Sequence, residues 1–361
     1  MVKAIKNCFA KEQVNLGRQR ELDIAKGLAI IFMVFCHVFE MLMRFFDPEI
    51  SSDFAYTLLD VILGGSFSAP VFMFCMGISF AYSRRSSAGD LCKRALKMAG
   101  IVLIFEVART ALPGLLQWVI SGDPACVEYV YMFFCVDILQ FVTMAILAIA
   151  LLKKLRIKPL GMVIVATVCA VIGQHLQGVS TGSYIGDVFV GLLWRSHEYS
   201  FFPLLNWLIF PVCGYAFSGA WQRLRDKERF FRLVTPISWV ISIVYFASMA
   251  LWGEYYLSGG DYYGLGVLDA VFALIICAAM LGLGYYLAKW GGRVSNWLSA
   301  AGNRVTSIYC IHWTILYFMY ALMFCFLADY LSQWWILLVS VSVIAVSDLL
   351  SRLYIKAKKK K

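Results

Sequence analysis

Apolar runs of about twenty residues, separated by short polar or glycine-rich stretches, recur from residue 24 almost to the C-terminus. A hydrocarbon core about 30 Å thick needs roughly 20 residues of helix to cross it, so the pattern predicts membrane-spanning helices. Ten are predicted, at 24–45, 58–83, 95–117, 128–152, 159–176, 203–221, 233–253, 265–288, 302–327 and 334–355. Their connections alternate in charge. The N-terminal tail, "RRSSAGDLCKRALK", "KKLRIK", "RLRDKERFFR", "KWGGRVSNWLSAAGNR" and the tail "RLYIKAKKKK" are basic, whereas "FDPEISSD", "SGDPACVE", "GEYYLSGGDYY" and "LADYLSQ" are not. Lysine and arginine are retained on the cytoplasmic side, so both termini are expected there, in keeping with an even number of spans.

Composition adds to this reading. With 61% hydrophobic and only 15% charged residues, the chain is too apolar for a soluble domain of its length. The predicted class is an all-α polytopic integral membrane protein, multi-pass in the cell membrane. It divides into a cytoplasmic tail (1–23), one membrane-embedded domain (24–355) and a short basic tail (356–361). The net charge of +10 follows from topology and from attraction to anionic headgroups, and calls for no nucleic-acid partner. The first twenty residues carry no short apolar core with a cleavage site, so the first helix is expected to direct insertion. Of eleven cysteines only Cys126 falls in an outer loop, and none forms a CxxC pair. Neither a disulfide framework nor a metal site is expected.

The stretch "LDIAKGLAIIFMVFCH" places His37 deep in the first predicted span. Residues eleven apart on a helix differ by about three turns and 20°, so Lys26 and His37 share a face, with Asp23, Glu40 and Arg44 on or near the same stripe. Ionisable groups at such depth are costly and mark functional sites by default; the alternative is a packing histidine satisfied by a neighbour. Lys26 and Arg44 can also snorkel to an interface. Other polar groups fall on the same side as His37: Asp60, Arg109, Asp137, Gln140, Asn206 and Asp269 in the outer halves of their spans, and His175, Arg195, His197 and Glu198 in or beside the loop before the sixth. Together they predict an outward-facing polar cavity. On the other side, Arg84, Arg85, Lys93, Arg94 and Lys97 cluster between spans two and three. Positive-inside topology explains that cluster, and an anionic cofactor suits it equally, because guanidinium forks bind phosphate bidentately.

Four stretches resemble the membrane-bound acyltransferase 3 family and the relatives that include heparan-α-glucosaminide N-acetyltransferase-type enzymes. "RELDIAKGLAIIFMVFCH" is similar to the family's first helix, in which a basic residue precedes a histidine by eleven positions, here Lys26 and His37. "SAPVFMFCMGISFAYSRR" resembles its second helix, "FPLLNWLIFPVCGYAFSG" a Pro-Trp-Gly helix of the glucosaminide-type relatives, and "VTSIYCIHWTIL" the late Ser-x-Tyr-x-x-His helix.

The resemblance implies an O- or N-acetyltransferase. An acyl group, most often acetyl, moves from cytoplasmic acyl-CoA, a donor substrate and not a bound cofactor, to a hydroxyl or amine of a glycan or related envelope acceptor. On this reading His37 is the general base, with a near-neutral imidazole suited to that task. Glu40 or Asp23 is its electrostatic partner, and His312 orients the acceptor or closes the packing around His37. Lys26, Arg84, Arg85 and Arg94 hold the donor. Arg109, Asp137, Asn206 and Asp269 lie on the acceptor side. A covalent acyl-histidine is a chemical alternative, and a homo-oligomer is left open. The rival from another class is a proton-coupled transporter or flippase using His37, Asp137 and Asp269. It lacks the internal repeats frequent among transporters.

Overall fold

The computed structural model describes residues 2–44, 57–83, 85–252, 261–326 and 333–360. Among them no strand forms, and only two isolated bridges occur, Phe9 with Leu224 and Val136 with Ser200. After a short helix α1 (Val2–Lys6) comes α2 (Arg20–Phe39), which runs on as π-helical turns over Glu40–Arg44. A second π-helical segment, Thr57–Ser66, leads into α3 (Ala69–Ala81). Helix α4 (Ala88–Glu106) passes through π turns at Val107–Ala111 into α5 (Leu112–Ser121). Then follow α6 (Glu128–Phe133), α7 (Ile138–Lys154), α8 (Pro159–His175), α9 (Tyr184–Gly191), α10 (Leu204–Trp207) and α11 (Ile209–Arg223). The chain ends with α12 (Lys227–Trp252), α13 (Val267–Trp290), α14 (Gly292–Gly302), α15 (Val305–Phe326) and α16 (Gln333–Lys360).

Local sequence explains where several of these begin. Ser87 and Asp90 form a reciprocal capping box at α4, the Asp90 amide donating to Ser87 Oγ at 3.1 Å and the Ser87 amide to Asp90 Oδ2 at 3.3 Å, which satisfies two otherwise orphaned donors. Proline opens α8 at Pro159, where its missing N–H costs nothing. Asp137 caps α7, accepting from the Ile138 amide at 2.6 Å.

Eight helices among the described residues are long and apolar enough to cross a membrane, from Arg20–Leu42 to Trp335–Lys359. They coincide with eight of the ten predicted spans, and the chain is an all-α polytopic membrane protein. Of the other two, the span expected at 159–176 is met by the shorter apolar helix α8 over Pro159–His175, and one differs. The span expected at 128–152 is broken, because Asp137 starts a new helix and leaves α7 with 17 residues. Helix α8 also has 17, about 25 Å at 1.5 Å per residue.

Helix α2 lies at the centre, packed against α3, α13, α14, α15 and α16 and the Thr57–Ser66 segment. Its residues Ile24, Ala25, Ala29, Val34 and Phe39 are fully buried. Outward faces carry exposed Leu103, Ile104, Val240, Val244 and Leu337, a continuous apolar exterior of the kind that meets lipid. One very close crossing is between α3 and α11. A Cβ added at Gly77 would overlap the Pro211 carbonyl, and one at Gly214 the Phe74 carbonyl, so each backbone rides directly on the other, as small residues permit in membrane bundles. Gly77→Val is expected to cost about 3 kcal/mol by overpacking, read as a lower thermal unfolding temperature of the detergent-purified protein. Gly219→Val on the same α11, where a Cβ meets open space, is expected to leave that temperature unchanged.

Candidate active site

The three π-helical stretches converge. Glu40 and Met41 from the first, Val61, Gly64 and Gly65 from the second and Arg109 from the third line one cavity of about 770 Å³ at the end of the bundle where α2 finishes. An extra residue in a helical turn re-aims the side chains around it, and such turns recur at functional sites. The rest of the wall comes from α2 (Met33, Cys36, His37), α15 (Trp313, Tyr317), the start of α7 (Asp137, Ile138), α6 (Glu128, Met132) and the connections carrying Arg195–Phe202 and Asp261–Tyr263.

His37 Nδ1 lies 3.0 Å from His312 Nε2, with the two rings only 9° from coplanar. The opposite nitrogen of His312, Nδ1, is 3.0 Å from the Ile308 carbonyl oxygen one turn earlier. A carbonyl only accepts, so His312 carries its proton on Nδ1 and presents a lone pair at Nε2. His37 therefore donates from Nδ1. Its own Nε2 is left with the lone pair, on a half-buried ring that lines the cavity. Trp313 covers that ring face to face, centroids 4.0 Å apart.

Beside the histidines lies a buried ionic cluster. Arg109, 1% exposed, donates to Glu106 from Nε at 3.2 Å and from Nη2 at 2.8 and 3.0 Å. It also bonds Asp137 through Nη1 and contacts Cys135 Sγ at 2.9 Å. Tyr309 donates to Asp137 at 2.7 Å, and Gln140 to Glu106 at 2.7 Å. With so many anionic partners the guanidinium is neutralised, and its flat face lies 5.6 Å from the ring centroids of both Trp313 and Tyr317.

The rim is stitched from loops. Arg195 pairs with Asp261 at 2.5 Å, tying the connection before α10 to the one before α13. Tyr262 donates to the Gly65 carbonyl at 2.8 Å, and Tyr199 to Glu128 at 2.8 Å. Val136 holds the 199–202 strand of chain by accepting from the amides of Phe201 and Phe202 at 3.0 and 2.9 Å. His197, in this loop, accepts from the Tyr199 amide at 3.2 Å; burial pushes its imidazole below the ordinary value, with Asp187 opposing.

The residues singled out in the sequence are thus sorted. His37, Glu40, Arg109 and Asp137 line the cavity, and His312, fully buried behind them, is the partner of His37. Asp23 is not that partner: it sits at the other end of α2, bonded to Arg18 at 2.9 Å, Lys26 at 3.2 Å and Asn303 at 3.1 Å. Lys26 lies eleven residues, about 16 Å of helix, from His37. Arg85 is exposed; Arg94 stacks over Phe80 at 5.0 Å; Arg84 and the side chains of Arg44 and Asp60 lie outside the described residues. Asn206 is buried away from the cavity, donating to the Leu265 carbonyl at 3.3 Å. Asp269 likewise accepts from Tyr245 at 2.7 Å within the α12–α13 contact. Trp313, Tyr317, Glu106 and Asp261 went unread in the sequence, and Tyr309 entered only as the tyrosine of the late Ser-x-Tyr-x-x-His pattern. For the α15 residues a signal exists: 309, 313 and 317 fall four apart, on the face that also carries His312.

Among the described residues no group of three or more His, Cys, Asp or Glu is placed to hold a metal ion. All eleven cysteines are free. The acyltransferase domain that defines the acyltransferase 3 family matches residues 19–352, and the chain belongs to that family: it is a membrane acyltransferase. No curated protein and no solved structure matches it.

The ionic cluster yields a stability test. Arg109→Met strands two buried carboxylates and is expected to cost about 3–5 kcal/mol. Thermal unfolding in detergent reads this as a large downward shift; an unchanged unfolding temperature would show that the cluster is not what fixes these helices.

Proposed function

We propose that the protein transfers an acyl group, acetyl in the simplest case, from cytoplasmic acyl-CoA to a hydroxyl or amine of a glycan or related envelope acceptor, with His37 as general base. The observation that carries this is the run of hydrogen bonds from the Ile308 carbonyl through His312 to His37 Nδ1. It leaves His37 Nε2 as a lone pair in a polar cavity, in the tautomer a base needs. In the reaction His37 Nε2 takes the acceptor's proton as its oxygen or nitrogen attacks the thioester carbonyl. The C–S bond then breaks, and the CoA sulfur leaves with the proton that His37 gives back, so atoms and charge balance. His312 is a positioning residue, fixing the ring and accepting the Nδ1 proton's hydrogen bond as His37 becomes cationic.

Two further features support the substrate classes. Lys26, Arg85 and Arg94 belong to the end of the bundle opposite the cavity, so an anionic nucleotide held there has about 16 Å of helix α2 for an extended arm to follow to His37. In the cavity, rings (Tyr199, Phe201, Tyr262, Trp313) stand among carboxylates (Glu40, Glu128, Glu198). A pyranose, with apolar C–H faces and hydroxyl edges, matches a wall of that mixed kind.

The test is calorimetric binding of acetyl-CoA to the detergent-purified protein, followed by acetyl transfer to a panel of amino sugars and neutral glycosides. His37→Ala is expected to keep acetyl-CoA binding and lose about 10²–10⁴-fold in turnover. Arg84→Ala with Arg85→Ala is expected to weaken binding. If folded wild-type protein binds neither acetyl-CoA nor longer acyl-CoAs, the reading fails, and proton-coupled uptake into vesicles without any acyl donor becomes the experiment to run.

A further inference from the structure

Two donors on α15, the helix that carries His312, stand out among the described residues. Trp313 Nε1 and Tyr317 OH are both buried and without a hydrogen-bond partner among the described residues, although the side chains that carry them are only 9% and 3% exposed and line the cavity. Buried donors are nearly always paired, and each exception calls for a reason. Their acceptor neighbours are already engaged: Asp137 by Arg109, Tyr309 and the Ile138 amide, and Glu106 by Arg109 and Gln140. Both donors stand one turn apart on the same face of α15. The Trp313 ring lies on the His37 ring, centroids 4.0 Å apart, so the indole is packed against the imidazole that takes the proton.

We propose that the Trp313 indole N–H and the Tyr317 hydroxyl are the oxyanion donors of the reaction. The inference rests on the acyl transfer proposed above and names the groups that receive the charge it creates. When the acceptor's lone pair adds to the thioester carbon, the carbonyl π electrons move onto oxygen, and Trp313 and Tyr317 each donate a hydrogen bond to it. When the carbonyl re-forms, the C–S bond breaks and the thiol leaves with the proton from His37. Donors that no internal acceptor has claimed are preorganised for this, since no existing bond has to be given up as the charge develops. Arg109 behind the two rings holds them in place and is itself fully engaged by carboxylates. It is a positioning residue.

The experiment is isotope-edited infrared spectroscopy of acetyl-CoA, labelled at the acetyl carbonyl carbon, bound to wild-type protein, Tyr317→Phe and Trp313→Phe in detergent. The carbonyl stretch is expected at lower wavenumber in the wild type, with each variant moving it back toward the free value while acetyl-CoA still binds. Against an acceptor from the panel, each variant is expected to lose about 10²–10³ in kcat with the KM for acetyl-CoA unchanged. Tyr317→Phe keeps the ring and stands as the decisive variant if Trp313→Phe loosens the packing on His37. Bound acetyl-CoA with the same carbonyl stretch in all three proteins overturns the inference and leaves the acyltransferase reading intact. A rise in acceptor KM with kcat preserved also overturns it, showing that the two groups hold the acceptor instead. No binding of any acyl-CoA by folded wild type overturns both.

Discussion

A guanidinium in an apolar interior has to be surrounded by anions, and Arg109 is the residue on which this constraint falls most heavily. Glu106 lies one turn before it, but Asp137 comes from the start of α7, and Asp137 is in turn held by Tyr309 of α15. One buried charge thereby fixes the relative positions of three elements distant in sequence. The desolvation cost of such a cluster is large, and a hydrophobic replacement of the whole set can be equally stable. Its persistence in the wall of the cavity is better explained by what it orients than by what it stabilises.

What it orients is α15. Tyr309 on Asp137 sets the rotation of that helix, and the same rotation points His312, Trp313 and Tyr317 at α2 and the cavity. A slip of one residue would turn the face by about 100° and separate His312 from His37. The π-helical turns act similarly at shorter range: each re-aims a few side chains, and all three do so toward the same space. The close glycine contacts of α3 with α11 fix α3, whose first residue Ala69 lines the cavity, while the rim consists of loops joined by the Arg195–Asp261 pair.

The bundle has two chemically different ends. At one, Asp23, Lys26, Arg18 and Asn303 form a polar knot where α2 begins, with Glu21 bonded to Lys227 nearby. At the other, α2 finishes among rings and carboxylates. Between them the residues of α2 from 27 to 36 are apolar or small, so the two polar groups are kept apart by about three turns of buried helix.

Much of this was legible along the chain. Apolar runs, charge alternation and the eleven-residue spacing of Lys26 and His37 are local or strictly periodic features, and they determined the helical membrane class, most of the spans and the family resemblance, and singled out His37, which lines the cavity. The break at Asp137 was hidden because the flanking residues are as apolar as any span, and only the capping hydrogen bond and the ion pair to Arg109 show that the helix starts afresh. The roles of Asp23, Asn206 and Asp269 depended on depth and azimuth together, which a periodic reading supplies only in part: all three are polar and buried, yet each bonds a partner away from the cavity. The tautomer of His37 lay furthest from reach. It is decided by a hydrogen bond to a residue 275 positions away and by a backbone carbonyl behind that residue, and a contact of such long range is a property of packing, which the order of residues along the chain does not express.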